Sequence, residues 1–294
     1  MIFKLAWRNI WRNKRRSLIT IGSILFAVFF SNLMNSVQQG MWEHNIAITT
    51  SLSGYIQIQS PDFWDEQILD NGLDPSDELK EIIMGLDGIA EVSPRIQTGS
   101  LAAHSNLSKF VLINAFDPET EKDRIGLQKK LDAGELIASD DDGILIGKGL
   151  AKYMELEVGD TLSLLGMGYY GQSANANFPV RGIVRFGTEQ MSSNLVFMSY
   201  EKADEHFGTN GVVTSLNVYL EDINDLDEIE EDLMTSLADQ DVEIMTWKEM
   251  MPELVQAFQA DTGGNVIFIG ILYLVIAFGI FGTILMMTAE RMYV

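Results

Sequence analysis

Four short stretches carry residue types that do chemistry in other proteins, and each lacks a necessary part. Gly143-Ile144-Leu145-Ile146-Gly147-Lys148-Gly149 is close to a phosphate-cradling loop, where backbone N–H groups and a lysine hold the phosphates and a hydroxyl holds magnesium. It is one residue short of GxxxxGK and has Gly149 where Ser or Thr is required, so it reads as turn, strand and turn. Gly171-Gln172-Ser173-Ala174-Asn175 fails the GxSxG nucleophile elbow at its last position. His44, His104 and His206 are scattered, with no HExxH and no ligand spacing, and read as surface or capping histidines. Asp140-Asp141-Asp142-Gly143 lacks the alternation of a calcium loop and reads as a tight turn. No catalytic, cofactor-binding or metal-ligating residue is assigned, and the expectation is a chain that is not itself an enzyme.

One stretch has the composition of a recognition surface. Gly166 to Phe178 is uncharged within an acidic segment and places Tyr169, Tyr170 and Phe178 among Gly, Ser and Asn. Tyrosine offers a large contact area at low entropic cost, and small polar neighbours adapt to a partner. The stretch lies between two strand patterns, so the competing reading is a flexible hairpin tip. Phe63-Trp64 offers a second candidate contact, with core packing as its alternative.

The elements that must position these residues are mixed. Strand-like runs occur at 55–59, 110–113, 144–146, 161–165, 180–186, 195–198, 215–220 and 242–245. Helical patterns occur at 78–86, 149–156, 201–207 and 223–237, with Ser199 as a cap for the third. Residues 246–261 read as one helix. Strands mixed with isolated helices predict an α+β domain.

Flanking it are two uncharged stretches, Ser17–Trp42 and Thr262–Ala289. A bilayer core of about 30 Å needs roughly 20 apolar helical residues, so each is long enough to cross. The predicted organisation is a cytoplasmic amphipathic helix at 1–16, spans at 17–37 and 263–288, an extracytoplasmic α+β domain with a helical stalk at 38–262, and a cytoplasmic segment from 289 to 294. A cleaved signal peptide is disfavoured, because the first stretch is too long and Phe29-Phe30-Ser31-Asn32 lacks a small-x-small site.

Charge sets the orientation. Of 20 basic residues, six (Lys4, Arg8, Arg12, Lys14, Arg15 and Arg16) precede the first span, and Arg291 follows the second. That leaves 13 basic residues between the spans against 41 of the 42 acids, since only Glu290 lies outside. Positive flanks stay cytoplasmic, which puts the N-terminus inside and the acidic domain outside. Lys4, Arg8, Arg12 and Arg15 form one stripe beside Trp7 and Trp11, suiting a helix in the headgroup region or an ordinary charged flank. The acidic domain disfavours nucleic acid as a partner. The absence of Cys excludes a disulfide framework.

Taken in order, several segments resemble bacterial ABC-transporter permeases of the MacB/FtsX/Lol type. These are Leu5-Ala6-Trp7-Arg8-Asn9-Ile10-Trp11-Arg12-Asn13-Lys14-Arg15-Arg16, Gly54-Tyr55-Ile56-Gln57-Ile58, Ile146-Gly147-Lys148-Gly149-Leu150-Ala151, Val158-Gly159-Asp160-Thr161, Val180-Arg181-Gly182-Ile183 and Glu290-Arg291. The lipoprotein-releasing branch looks nearest. The resemblance implies a MacB-like periplasmic core on two transmembrane helices in the bacterial inner membrane. It implies a paired permease copy or paralogue, and a separate cytoplasmic ATPase that holds ATP and magnesium. It further implies extraction of a lipoprotein for a periplasmic carrier, docked at the position of the 166–178 hairpin. MacB-like efflux, FtsX-like regulation of cell-wall hydrolases and, from another class, a two-span sensor remain open. Family members have two further spans, so the chain is expected to be part of a four-span permease.

Overall fold

A computed structural model describes residues 14–186 and 191–292. The described residues form two compact units, one within 48–250 and a helical one within 14–47 and 251–292.

The helical unit contains α1 (Lys14–Ser53) and the last helix, which begins at Pro252 and ends at Met292. Each includes a stretch long and apolar enough to cross a membrane. Phe26, Phe29, Val266 and Phe278 are exposed around them. A helix that is apolar all round and not buried in protein calls for lipid as its solvent. Just beyond the apolar run, Asp261 Oδ2 accepts from Gln38 Nε2 at 2.6 Å and from the Trp42 indole N–H at 2.8 Å. The Trp42 ring meets Phe258 edge-on at 5.3 Å. The single helix expected over 246–261 is instead broken: a short turn at Trp247–Met250 precedes Pro252. Proline has no N–H to donate and disfavours the helical region for Met251, so the chain restarts there.

In the second unit, ten strands surround two main cores, and a smaller third cluster of Phe116, Ile125, Leu127, Leu145, Phe186 and Phe197 lies beside them. The strands are β1 (Ile56–Gln59), β2 (Ile89–His104), β3 (Leu107–Phe116), β4 (Leu131–Gly134), β5 (Ile144–Gly147), β6 (Thr161–Met167), β7 (Ser173–Val184), β8 (Leu195–Ser199), β9 (Ser215–Leu220) and β10 (Glu243–Thr246). Pairing runs β2-β3-β8-β5-β7-β6 and returns from β6 to β2, which closes a six-stranded barrel. Its interior holds Ile96, Val111, Ile113, Ile146, Leu164 and Phe178. The first half of β2 leaves the barrel to pair with β9, continuing a sheet through β1 to β10. On one face of that sheet Ile56, Ile58, Leu216 and Val218 share a core with α2 (Asp77–Met84) and α7 (Leu226–Ser236). Between these helices in sequence come α3 (Pro118–Ile125), α4 (Leu127–Lys130), α5 (Lys148–Met154) and α6 (Tyr200–Phe207).

The other face of the sheet is buried yet polar. Arg95 and Glu121 are fully buried and form an ion pair. Tyr219 donates to the second oxygen of Glu121 at 2.6 Å, and Ser93 donates to the first. Burial, chiefly, pushes the Tyr219 phenol far above its ordinary value, so it stays a donor at every physiological pH. The cluster ties β2, β9 and α3 together.

The expected α+β class holds. Four elements lie where none was expected. β2 runs for 16 residues where no strand was expected, and α3, α4 and β4 occupy a stretch left without structure. The second turn expected at Gly147-Lys148-Gly149 is the start of α5. A Cβ on Gly147 would lie 1.9 Å from the Ser192 carbonyl oxygen, so this step needs glycine for close backbone approach.

Candidate docking surface

The uncharged 166–178 stretch is mostly strand, not loop. β6 and β7 pair from Thr161–Pro179 to Met167–Ser173, leaving Gly168 to Gln172 as the tip. Gly168 N–H donates to the Gln172 carbonyl at 2.7 Å, closing the turn. Tyr170 adopts a left-handed conformation (φ 51°, ψ 38°), uncommon for a residue with a Cβ. Its N–H donates to Asp70 Oδ1 at 2.6 Å, in a 3-10 turn at Leu69–Asn71. On the opposite side a Cβ on Gly168 would fall 2.4 Å from the Phe207 carbonyl oxygen at the end of α6. The tip is thus held against two neighbours, which argues against a freely flexible hairpin.

Of the three aromatic residues expected there, the structure separates one. Phe178 is only 2 % exposed and belongs to the barrel core, because β7 alternates and position 178 faces inward. It is therefore not a surface contact. Tyr169 is half-buried against that core, and Tyr170 is 73 % exposed. Their rings lie 4.4 Å apart. The Tyr169 phenol is raised above its ordinary value, first by hydrogen bonding with Tyr170, then by burial and by the charges of Tyr170, Asp70 and Asp74.

Sequence reasoning missed the surface beside the tip. On the outer wall of the barrel, Leu101 pairs with Leu165 on one side and Phe110 on the other. Met167, 73 % exposed, and Leu112 extend this apolar strip. The signal was present as alternation in β3, where Phe110 and Leu112 are exposed while Val111 and Ile113 are buried. Gly99 in β2 has no side chain, and the Phe110 ring occupies the space above it.

Lys4, Trp7, Arg8, Trp11 and Arg12 lie outside the described residues, as does the side chain of Arg16. Arg15 is exposed at the start of α1. His206 packs edge-on to Phe178 at 5.0 Å, and burial lowers its pKa. His104 Nδ1 lies 3.0 Å from the Thr161 carbonyl. Among the described residues no group of three or more His, Cys, Asp or Glu side chains is arranged to hold a metal. The acidic turn forms: Gly143 N–H donates to Asp141 Oδ1 at 2.7 Å, and Arg181 donates to the same oxygen at 2.8 Å.

A family profile described as the MacB-like periplasmic core domain matches residues 17–236. The periplasmic region of MacB from Actinobacillus actinomycetemcomitans is similar at 16% identity, with 70% of this chain and 94% of that chain covered and a TM-score of 0.46. The extracellular domain of the ABC-type transporter YknZ from Gram-positive bacteria is similar at 15% identity, with 65% and 99% covered and a TM-score of 0.44. No curated protein matches the chain.

Proposed function

We propose that this chain, which belongs to the MacB-like periplasmic core domain family of ABC-transporter permeases, releases lipoproteins from the inner membrane to a periplasmic carrier. Its N-terminus and the segment from residue 289 onward face the cytoplasm, in keeping with the basic residues before the first span. ATP and magnesium are held by a cytoplasmic ATPase subunit, and a second permease copy or paralogue completes the pair. The domain moves in response to the ATPase and acts on cargo at the outer leaflet.

The observation that carries the reading is the β6–β7 tip. It presents Tyr170 and Met167 as exposed apolar contacts in an otherwise acidic domain, and it is pinned by Asp70 and by the close approach of Gly168 to Phe207. A preorganised, uncharged aromatic tip loses little entropy on docking. The carrier therefore docks on Tyr169, Tyr170 and Met167.

The test has two arms. Purification from detergent-solubilised native membranes, with mass spectrometry, is expected to recover an ABC ATPase in stoichiometric amount. Depletion of the protein is expected to leave lipoproteins in the inner membrane, and Tyr170→Ser with Met167→Ser to reproduce that retention at normal protein level. An ATPase partner with unchanged lipoprotein sorting would exclude the lipoprotein reading within the family.

A further inference from the structure

A groove of about 370 Å³ opens where the barrel wall meets the polar face of the β1 sheet. Its volume lies in the range of small-molecule and peptide-anchor pockets. The apolar part is built by Phe63, Trp64, Phe110 and Leu112, and the remainder is dominated by the amides of Gln57, Gln59, Gln67, Gln97 and Asn114. No charged residue lines it, although the segment between the spans is strongly acidic.

The amides are arranged to be read. Gln97 and Asn114 are direct cross-strand partners on β2 and β3, and Gln97 Nε2 donates to Asn114 Oδ1 at 2.9 Å. Among the described residues this leaves the Gln97 carbonyl and the Asn114 amino group open, an acceptor and a donor side by side. Gln59 is fully buried, and its carbonyl oxygen has no partner among the described residues. An adjacent acceptor and donor complement the N–H and C=O of an extended peptide. An acyl chain would leave the open Gln97 side-chain oxygen and Asn114 N–H desolvated and unpaired. A charged ligand would find no counter-ion.

We propose that this groove binds a short, extended, uncharged peptide segment of a partner protein. One large apolar side chain of that segment seats among Phe63, Trp64 and Phe110, and its backbone hydrogen-bonds to Gln97 and Asn114. The site is distinct from the β6–β7 tip and does not depend on the identity of the transported cargo.

The test uses the full chain in lipid nanodiscs with 5-fluorotryptophan at its five tryptophans, the Trp64 resonance being assigned with Trp64→Phe. The probes are blocked pentapeptides of Gly and Ser with Leu, Phe, Lys or Asp at the centre, and decanamide as a lipid-chain mimic. The Leu and Phe peptides are expected to shift the Trp64 resonance saturably, and the Lys and Asp peptides to leave it in place. Gln97→Ala is expected to weaken Leu-peptide binding at least fivefold, with the free Trp64 resonance unmoved. Phe110→Ser, at a 61 % exposed side chain, gives a second variant with the same expected loss. A shift by decanamide alone, the absence of a saturable shift with any peptide, or unchanged binding in both variants would overturn the proposal.

Discussion

The backbone N–H of Tyr170 and the carboxylate of Asp70, one hundred positions apart, meet at 2.6 Å. This charge-assisted bond holds a left-handed Tyr in place at the tip of an exposed hairpin. Such bonds contribute about 1.5–3 kcal/mol. Asp70→Ala should therefore raise the amide exchange rate of Tyr170 about tenfold or more while leaving the barrel amides protected, as hydrogen exchange would show. Equal exchange in wild type and variant would mean that the tip is held by Gly168 and Phe207 alone.

The buried Arg95–Glu121 pair should behave asymmetrically. Removing one partner strands a charge inside the protein, and Arg95→Met or Glu121→Leu alone should each cost about 3–5 kcal/mol in urea unfolding. The double variant should recover most of that loss, because its two apolar side chains leave no charge behind. A double variant as unstable as the sum of the singles would show that Ser93 and Tyr219, rather than the ion pair, dominate the cluster.

Gly147 sits where the barrel strand β5 turns into α5, with the Ser192 carbonyl above it. Its φ of −66° is ordinary, so the constraint is space alone. Gly147→Ala should destabilise the domain by about 1–3 kcal/mol, the usual cost of overpacking, as read from the midpoint of thermal or urea unfolding. Gly126→Ala, with open space but φ +68°, is the matched control for strain without a clash.

Lys130 contacts the Ile125 carbonyl and lies 4.2 Å from the face of Phe186. Burial lowers its pKa to about 8. Between about 8 and the ordinary lysine value the unfolded chain binds more protons than the folded one, so stability should rise with pH across that window. Carbon-13 dimethylation followed by NMR should find one lysine titrating near 8. Lys130→Met should flatten the pH dependence of the unfolding midpoint between 8 and 10. A Lys130 methyl signal that titrates with the other lysines would contradict the assignment.

Much of the fold was legible in the sequence, and the misses have physical causes. β8 and β9 are short runs rich in Val, Leu and aromatic residues, buried on both faces, and their composition gives them away. β2 is obscured by Pro94, Gly99 and three alanines, residues that weaken any strand signal. They are tolerated because every part of β2 has a partner strand, β9 for its first half and β3 for its second, with β6 added at Leu101–Ala103 and a bulge between Ile89 and Glu91. α3 did carry a local signature: Asp117 caps the N-terminus, Pro118 is its first residue, and Gly126 ends it at φ +68°. At the candidate site, Tyr170 was readable from its neighbours. Phe178 was not, since a shift of one position along β7 decides between surface and core. Of the groove only Phe63-Trp64 was singled out in the sequence, and Phe63 is also packed as the alternative reading had it; Gln59, Gln97 and Asn114 join them only through the pairing of distant strands.

β2 belongs to both cores at once. Its first half is stitched to β9, and its second half to β3 and β6. A load applied along this strand is shared by many backbone bonds pulled sideways together, where a hairpin peeled from its end would break them one after another. Shear of that kind yields only when a whole row fails. Tension that reaches one core along β2 thus arrives in the other without stretching a loop between them.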